Sequence, residues 1–548
     1  MAAARGRSRR RRAARRGVVD ATPPAGAHPW GRDPAAARRG RGQRRCGRDP
    51  LASPVAVLGG AQVDEQHGER LPSVDATFLE VESETLHRHV GGLFVFDPPA
   101  DDADAWSFPR FVELVRSRLH LLPRYRRKLA TPPLGLGHPV WIDDPEFDLG
   151  YHVRHAALPA PGTTRQLAEY AARIMSRRLD RSRPLWELYV IEGLEDGRFA
   201  LLDKSHLAVV DGVAGMDIAS VLLDVAPEAA RELPSPEPWL PRRPPSRADL
   251  ARGALVDLAS SPAAALEAGR RLARTPSRTL RRSARVATGL AALARTNLAR
   301  PAPRSVLNQP PGPHRRFALQ RLALDDVKLV KDTFGTTVTD VVLAVVADAT
   351  GRHLRARGSR TDGVWLRALV PVSTREGGEG HGFGSRVVSV LVPLPMAEMD
   401  PVERLRVCQE GMADVRSSHR AVGAEFLVGL TEFAPPTLHA MASRTASRSR
   451  LYNFLVTNVP GPSLPVYCRG ARLIGAFPFT SLDAHQSYGV GVTSVDGWLD
   501  VGLTADYDVV SDLEPIAVDL VDAVAELRRH AEAAGTRQEL ARRRGPRS

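Results

Sequence analysis

The chain has 548 residues, and its content of 43% hydrophobic and 25% charged residues is typical of globular domains. This composition excludes collagen-like, coiled-coil and fully disordered proteins, and no apolar run approaches the roughly 20 residues that span a bilayer. The formal net charge is +14, but residues 1–50 alone hold fifteen Arg against three Asp, so the remaining chain is close to neutral.

Residues 1–68 are rich in Arg, Ala, Gly and Pro and lack apolar periodicity, so this leader is predicted to be disordered. Three interpretations stay open: an arm that binds nucleic acid or membrane, a transit peptide, or a translation start assigned too early. The third is favoured, because no aromatic residues interleave with the Arg run and no apolar signal-peptide core follows it. The true start is then expected near Val55 to Val63.

The first predicted domain covers residues 69–225 and mixes strands with helices. Apolar spacing predicts a strand over His89–Phe96, helices over Phe108–Leu122 and Gln166–Leu179, strands over Leu185–Leu194 and Arg198–His206, and a helix over Val213–Leu223. Asp196-Gly197 joins the last two strands, and the preference of this pair for positive φ predicts a tight hairpin. The domain is therefore expected to end in a strand, a turn and a helix.

Residues 226–305 are predicted to form a connector that is first Pro-rich and then basic and helical. Residues 247–300 hold eleven Arg and three acidic residues, and one apolar face is expected from Leu250, Ala254, Leu255 and Leu258. A helical connector with a solvated Arg face is the favoured interpretation. The alternative is an amphipathic helix on an anionic membrane surface, where each cation contributes on the order of 1 kcal/mol.

The second predicted domain covers residues 306–535 and is followed by a basic tail over 536–548. Its pattern predicts a helix over Thr337–Ala349, strands over Val364–Val372, Arg386–Leu394 and Phe454–Val459, and a hairpin of Gly489–Thr493 with Trp498–Thr504 around Asp496-Gly497. The chain is therefore predicted to be an α/β protein with two domains. A shared Asp-Gly hairpin is weak evidence that the two halves are related copies.

Common catalytic signatures are missing from the sequence: the G-x-S-x-G elbow, the Walker loop, G-x-G-x-x-G after a strand, H-E-x-x-H and C-x-x-C. Three cysteines are too few for a disulfide framework or a structural zinc site, which favours a reducing, intracellular compartment. The segment that remains is K-S-H-L-A-V-V-D-G-V-A-G at Lys204–Gly215. His206 stands there at a strand end, where it could take a proton from a hydroxyl. Taken alone, such a His is more often structural.

Around this segment the chain resembles the bacterial wax ester synthase/diacylglycerol acyltransferase family of CoA-dependent acyltransferases. The match runs in order over about Leu71–Leu527. It is carried by L-P-S-V-D-A-T-F-L-E-V-E at Leu71–Glu82, H-V-G-G-L-F-V-F at His89–Phe96, R-P-L-W-E at Arg183–Glu187, V-L-N at Val306–Asn308, T-D-V-V-L-A at Thr339–Ala344, L-R-A-L-V-P-V-S at Leu366–Ser373, N-V-P-G-P at Asn458–Pro462 and L-T-A-D at Leu503–Asp506. No single piece is decisive, but the ordered set is specific.

The resemblance implies two similar CoA-dependent-acyltransferase-like α/β domains, joined by the helical connector, with a reaction channel between them. It implies transfer of a fatty acyl group from acyl-CoA to diacylglycerol or a long-chain alcohol. Acyl-CoA is then a substrate, and neither a cofactor nor a metal is expected. The family motif is His-His-x-x-x-Asp-Gly, in which the second His removes the proton of the acceptor hydroxyl.

This chain departs from the motif at its central position. His206 matches the first His, Asp211 the structural Asp and Gly212 the Gly, but Leu207 occupies the place of the second His. Leucine cannot accept a proton, and loss of a general base typically costs roughly 10²–10⁴-fold in rate. Two substitutes stay open, His206 itself and a more distant His such as His485.

Further positions of the family pattern support the site. Those retained are Asn308, Asp340, Asn458, Pro460 and Gly461, whereas Thr339 and Ser385 each replace a family Asn. An Asn amide donates hydrogen bonds that neither Thr nor Ser reproduces in reach. These changes agree with relaxed constraint on the site.

The sequence therefore predicts a cytoplasmic acyl-CoA-dependent O-acyltransferase of the neutral-lipid synthesis type. Peripheral association with the inner membrane or with lipid droplets stays open. One alternative is a catalytically impaired homologue that binds acyl-CoA or lipid. Binding of nucleic acid is not expected, because outside the connector the folded part has no concentrated basic patch.

Overall fold

The computed structural model of the chain describes residues 69–99, 106–133, 138–210, 217–227, 239–256, 301–374, 386–417 and 450–544. All described residues belong to one compact unit, Gly59–Ser548. The predicted leader over 1–68, most of the connector, Ser385 and the motif residues Asp211 and Gly212 lie outside the described residues.

The described strands alternate with helices in an order typical of a mixed α/β protein. The strands are β1 (Glu69–Arg70), β2 (His89–Asp97), β3 (Arg127–Ala130), β4 (Val140–Asp143), β5 (Val153–Ala157), β6 (Trp186–Glu192), β7 (Phe199–His206), β8 (Arg315–Ala323), β9 (Trp365–Thr374), β10 (Arg386–Pro395), β11 (Phe454–Val459), β12 (Tyr467–Cys468), β13 (Ala471–Phe479), β14 (Tyr488–Val495) and β15 (Trp498–Asp506). The helices are α1 (Ser73–Glu80), α2 (Phe108–Arg118), α3 (Leu149–His152), α4 (Thr164–Met175), α5 (Asp217–Leu222), α6 (residues 247–256), α7 (Leu324–Phe334), α8 (Val338–Ala356), α9 (Pro401–Ser417) and α10 (Glu514–Arg544).

Two six-stranded sheets organise the described chain. The first has the order β12-β13-β2-β7-β6-β5 and the second the order β10-β9-β11-β14-β15-β8, while β1, β4 and β3 form a small separate sheet. Most neighbours are antiparallel, but β5 runs parallel to β6, and β11 runs parallel to both β9 and β14. These sheets confirm the predicted mixed α/β fold with two sheet-rich domains.

Each sheet buries one face against helices. Phe94, Phe96 and Leu201 of β2 and β7 enter the first core together with Phe111 and Leu114 of α2. In the second core, α8 is buried over most of its length because it contacts α7, α9, α10 and β10. The continuous apolar run of α8 is the expected sequence of a helix surrounded in this way.

Both predicted Asp-Gly hairpins are confirmed. β6 pairs antiparallel with β7 across Asp196-Gly197, and β14 pairs antiparallel with β15 across Asp496-Gly497. All four turn residues have positive φ, at 63° and 71° in the first hairpin and 51° and 83° in the second. Asp and Gly tolerate this backbone conformation better than other residue pairs, which is why the pattern was diagnostic.

The predicted second domain is not self-contained, because its strand β13 completes the first sheet. β13 pairs antiparallel with β2, so that Phe96 lies opposite Leu473 and Leu93 opposite Phe477. The chain then returns to the second sheet through β14. Apolar alternation identifies a strand but does not identify the sheet edge that the strand joins, so the boundary at residue 306 could not show this exchange.

A buried ion pair links the two sheets where β13 crosses. Arg321 of β8 donates from Nε to Oδ1 of Asp500 on β15 at 2.8 Å, and from Nη2 to the main-chain oxygen of Ile474 on β13 at 2.6 Å. The second carboxylate oxygen of Asp500 accepts the amide of Ala476 at 2.7 Å. Burial raises the pKa of Asp500 to about 6, although Arg321 opposes the shift.

The predicted connector and tail need two corrections. On α6, Leu250 and Ala254 are buried but Leu255 is 52% exposed, so Leu255 does not share the apolar face that the sequence predicted; Leu258 lies outside the described residues. At the other end, α10 runs from Glu514 to Arg544, so the predicted tail over 536–548 begins inside a helix. No helix in the described ranges is both long enough and apolar enough to cross a bilayer.

Candidate active site

The turn that follows β7 is held by main-chain hydrogen bonds. The amide of His206 donates to Leu185 O at 3.0 Å, that of Leu207 to Arg88 O at 2.9 Å, and that of Val209 to His206 O at 2.9 Å. His89 of β2 lies directly opposite His206 in the ladder, so the Leu207 bond to Arg88 continues the pairing of β2 and β7 by one position. The backbone at position 207 is therefore fixed, whatever side chain it carries.

The imidazole of His206 has a hydrogen-bond partner at Nδ1 and an acidic neighbour beside Nε2. Its Nδ1 accepts the amide of Ala208 at 3.0 Å, and its Nε2 lies 3.2 Å from Oε1 of Glu82. Since Nδ1 accepts, Nε2 carries the proton of the neutral ring. Burial lowers the pKa of His206 even though Glu82 opposes that shift. In this arrangement the ring of His206 has no lone pair available to a substrate hydroxyl.

Glu82 is the acidic centre beside His206, and no role was assigned to it from the sequence, although it closes the first family motif. Its side chain is almost fully buried, contacts Arg181 and accepts the amide of Arg88 at 3.1 Å. Burial raises the pKa of Glu82, but His206, Arg181 and the Arg88 amide outweigh burial and hold the pKa well below its usual range. Glu82 therefore stays ionised and orients the ring of His206.

Two further histidines extend the cluster. The rings of His87 and His89 stack with centroids 5.3 Å apart, and the ring of His89 lies edge-on to that of His206 at 6.3 Å. Burial lowers the pKa of His87 to about 4, assisted by Arg315, and holds the pKa of His89 well below its usual range. Nδ1 of each ring is buried without a hydrogen-bond partner among the described residues. Both rings are therefore neutral at neutral pH.

The lowered pKa of His87 predicts a loss of stability in mild acid. The unfolded chain has the ordinary pKa near 6.5, so it binds this proton first as the pH falls and the folded state loses stability between about pH 6.5 and pH 4. The expected loss is on the order of 2 kcal/mol at about pH 5. His87→Gln should therefore show a smaller drop in Tm than the wild type between about pH 7.5 and pH 5. Equal drops in thermal melts would contradict this assignment.

Arg88 connects the turn to the second half of the chain. Its Nη2 donates to Oδ1 of Asp483 at 2.7 Å, and Oδ2 of Asp483 accepts the hydroxyl of Tyr452 at 3.0 Å. The carbonyl of the same Arg88 accepts the amide of Leu207. One residue thus joins the motif turn to the loop that follows β13. The family motifs did not include Arg88 or Asp483, so the sequence analysis missed both.

Asn308 lies in a second polar group of the second half. Its Nδ2 donates to the main-chain oxygen of His485 at 2.8 Å, and its Oδ1 accepts Nδ2 of Asn453 at 2.6 Å. The buried side chain of Asn453 also accepts the amide of Arg367 at 2.7 Å. Asn308 therefore fastens the loop that carries His485 to the start of β9 and β11.

Thr339 and Asn458 meet at the start of α8. Nδ2 of Asn458 donates to Oγ1 of Thr339 at 3.2 Å. Asp340 closes a capping box with Thr337, whose amide it accepts at 2.9 Å, and its other carboxylate oxygen is buried without a hydrogen-bond partner in the described part of the chain. Thr at position 339 thus accepts a hydrogen bond here, and Asp340 caps the helix.

Pro460 and Gly461 follow β11 at a close approach to β14. The amide of Gly461 donates to Oγ of Ser494 at 3.1 Å, and a Cβ on this glycine would lie 1.9 Å from the main-chain oxygen of Ser494. Only glycine fits there. The contacts of the described residues bring Thr339 to Asn458 and Asn308 to His485. They reach the turn of His206 and Leu207 through Arg88 and Asp483. No cluster of described His, Cys, Asp and Glu side chains could hold a metal ion.

Two family models match the chain and together cover well over half of it. The wax ester synthase/diacylglycerol acyltransferase catalytic domain matches residues 71–342, and the C-terminal domain of the same family matches residues 383–528. This chain belongs to the wax ester synthase/diacylglycerol acyltransferase family. The match confirms the resemblance that the ordered motifs indicated.

Individual members of the family agree with this assignment. Two proteins of Mycobacterium tuberculosis, each named a probable diacylglycerol O-acyltransferase, are 34% identical over 463 residues and 33% identical over 487 residues. These alignments cover 83% and 87% of this chain, and 97% and 98% of the relatives. A solved wax ester synthase/diacylglycerol acyltransferase from Marinobacter aquaeolei is 29% identical with a TM-score of 0.60, and the match covers 84% of this chain and all of that chain.

The fold is also shared more widely. The starter condensation domain of rhizomide synthetase matches with a TM-score of 0.52 at 14% identity, over 86% of this chain and 97% of that domain. At this identity the likeness concerns the fold alone.

Proposed function

We propose that this member of the family is an acyl-CoA-dependent O-acyltransferase that esterifies diacylglycerol or a long-chain alcohol. The observation that carries the proposal is the match to both family domains, with the motif turn after β7 tied to the second half through Arg88 and Asp483. Acyl-CoA enters as a substrate, and no step is assigned to a cofactor or metal. The roles of the catalytic and supporting residues are also part of this proposal. The contacts described above support them.

The reaction is a direct transfer. The acceptor oxygen forms a bond to the thioester carbonyl carbon, the carbon–sulfur bond breaks, and the hydroxyl proton ends on the CoA thiolate. A base beside the hydroxyl lowers the barrier to attack. His206 acts in this scheme as a positioning residue, because its Nδ1 holds the amide of Ala208 while Glu82 holds the ring. For Asp211 and Gly212, which lie outside the described residues, the proposal rests on the family motif alone.

A second candidate function rests on Leu207. A homologue that binds acyl-CoA but turns over slowly would need no proton acceptor at this position, and Nδ1 of the neighbouring His206 already accepts the Ala208 amide. The membership in a family of acyltransferases favours the active enzyme. The two functions differ in turnover and not in binding, so one assay separates them.

The assay measures free CoA released from palmitoyl-CoA, with and without a diacylglycerol or hexadecanol, and identifies the ester by mass spectrometry. We expect CoA release that depends on the acceptor and equals the ester formed. Release no higher than in buffer, while palmitoyl-CoA still binds in equilibrium dialysis, would contradict the transferase and support the slow homologue.

Peripheral association with an anionic lipid surface is part of the proposal. Support comes from α6 and the segment before it. The side chains of Leu240, Leu255 and Val256 are 84%, 52% and 56% exposed. Arg242 and Arg243 in the same segment are exposed as well. Exposed apolar side chains next to Arg suit the boundary between headgroups and acyl chains. We expect the protein to sediment with phosphatidylglycerol vesicles at low salt and less at high salt. Equal recovery with phosphatidylcholine vesicles would contradict an electrostatic contribution.

A further inference from the structure

The cluster of His87, His89 and His206 lies on one side of the strand pair. His89 and His206 are directly opposite each other on antiparallel strands, and such residues share a face of the sheet. The ring of His87 stacks on that of His89, and Glu82 contacts His206. The three imidazoles thus belong to one face, and Glu82 lies beside one of them, His206.

A side chain at position 207 belongs to the other face. Leu207 comes directly after the last residue of β7 and bonds to Arg88 O, and extending the alternation of the strand by this one residue places its side chain opposite to that of His206. The side chain of Arg88 leaves the strand on that face and reaches Asp483 of the second half. A base that replaces a His at position 207 must therefore come from the side on which Asp483 lies.

The loop of Asp483 carries an imidazole. The amide of Gln486 donates to the main-chain oxygen of Asp483 at 3.0 Å, which closes a turn with His485 inside it. Three contacts hold this turn: Arg88 and Tyr452 at the carboxylate of Asp483, and Asn308 at the carbonyl of His485. The half-buried ring of His485 makes no hydrogen bond or ion pair with any residue that the structure describes.

We propose that His485 is the general base of this chain and stands in for the missing imidazole at position 207; this inference rests on the proposed function. The turn that Arg88 holds at Asp483 carries this ring, and neither of its nitrogens bonds to a described residue. His485 takes the proton of the acceptor hydroxyl as the oxygen attacks the thioester carbonyl carbon. The carbon–sulfur bond then breaks, and the imidazolium returns the proton to the CoA thiolate. This route leaves the hydrogen bond from the Ala208 amide to Nδ1 of His206 intact.

Four proteins test the proposal: the wild type, His485→Gln, Leu207→His and the double variant, all assayed for acceptor-dependent release of CoA from palmitoyl-CoA. We expect His485→Gln to lower kcat at least tenfold in the wild-type background, with little change in KM and loss of the ascending limb of the pH profile. In the Leu207→His background the same replacement should change kcat less than about twofold, because the base is then supplied at position 207. His530→Gln on α10, also half-buried, is the matched control and should leave kcat unchanged.

The cycle separates a chemical role from a structural one. Equal losses in the two backgrounds would mean that His485 only supports the loop, and no loss in the wild-type background would mean that it does nothing; either result overturns the proposal. A wild type without turnover beside an active Leu207→His would overturn the role of His485 but not the proposed function. Inactivity of both proteins would defeat the proposed function itself. An active double variant would also show that the protein folds with Gln at position 485.

Discussion

Replacing Leu207 with His is expected to raise kcat for acyl transfer by about 10²-fold or more. Leu207 occupies the position at which the family motif places its proton acceptor, and an aliphatic side chain has no lone pair. The backbone there is already fixed, since the amide of Leu207 donates to Arg88 O at 2.9 Å and the next turn is held by His206. The new ring would project from a scaffold that needs no rearrangement. Steady-state release of CoA with saturating acceptor gives the measurement.

Leu207→Gln is the control for this gain. Glutamine adds polarity at similar size but is not a base, so its kcat should stay within about threefold of the wild type if the gain of Leu207→His comes from a proton acceptor at position 207. The kcat of Leu207→His should rise as the pH passes through the ordinary pKa of an imidazole, about 6.5. A wild type that turns over quickly and gains nothing from Leu207→His would contradict the expected gain, because it would show that an imidazole at position 207 adds nothing to proton transfer.

Replacing Arg321 with Met is expected to lower the free energy of unfolding by about 3–5 kcal/mol. Arg321 and Asp500 are almost fully buried, and they also hold the main chain of β13 at Ile474 and Ala476. Removing the guanidinium leaves a buried carboxylate without its charge partner. Because burial already raises the pKa of Asp500 to about 6, the carboxylate is protonated in mild acid and then needs no partner. The destabilisation should therefore be larger at about pH 8 than at about pH 5.

The double variant Arg321→Met with Asp500→Leu is the control for the ion pair. It removes both charges together, so it should recover most of the stability that the single variant loses. Urea denaturation followed by circular dichroism gives the comparison. A single variant as stable as the wild type at about pH 8 would mean that the pair does not hold the two sheets together.

Much of the secondary structure was predictable because it depends on the local spacing of apolar residues along the chain. The strand over Phe454–Val459 was predicted to the residue, and Asp196-Gly197 and Asp496-Gly497 each formed the expected hairpin. The exchange of β13 into the first sheet was not predictable, since it depends on which unpaired edge lies nearest in space. The helical start of the tail was missed because a run of Arg, Ala and Glu suits an exposed helix as well as a flexible terminus.

The site was only partly predictable, for a similar reason. Sequence spacing placed His206 and Leu207 at a strand end, and the structure has β7 end at His206. The partners that decide what His206 can do, Glu82 and the amide of Ala208, follow from tertiary contacts and from turn geometry. Arg88 and Asp483 are 395 positions apart, and no local pattern predicts such a pair. The reaction channel and the likeness of the two halves remain predictions.

The placement of the reaction can be tested most directly by a crystal structure of the wild type with an acyl-CoA analogue in which a methylene group replaces the thioester sulfur. We expect the carbonyl carbon of the analogue to lie beside Leu207, between the motif turn and the loop of His485, with room for an acceptor oxygen at about 3–3.5 Å. An analogue bound next to His87 and His89 instead, or away from residues 206–210 altogether, would contradict both the assignment of the turn as the active site and the proton route drawn from it.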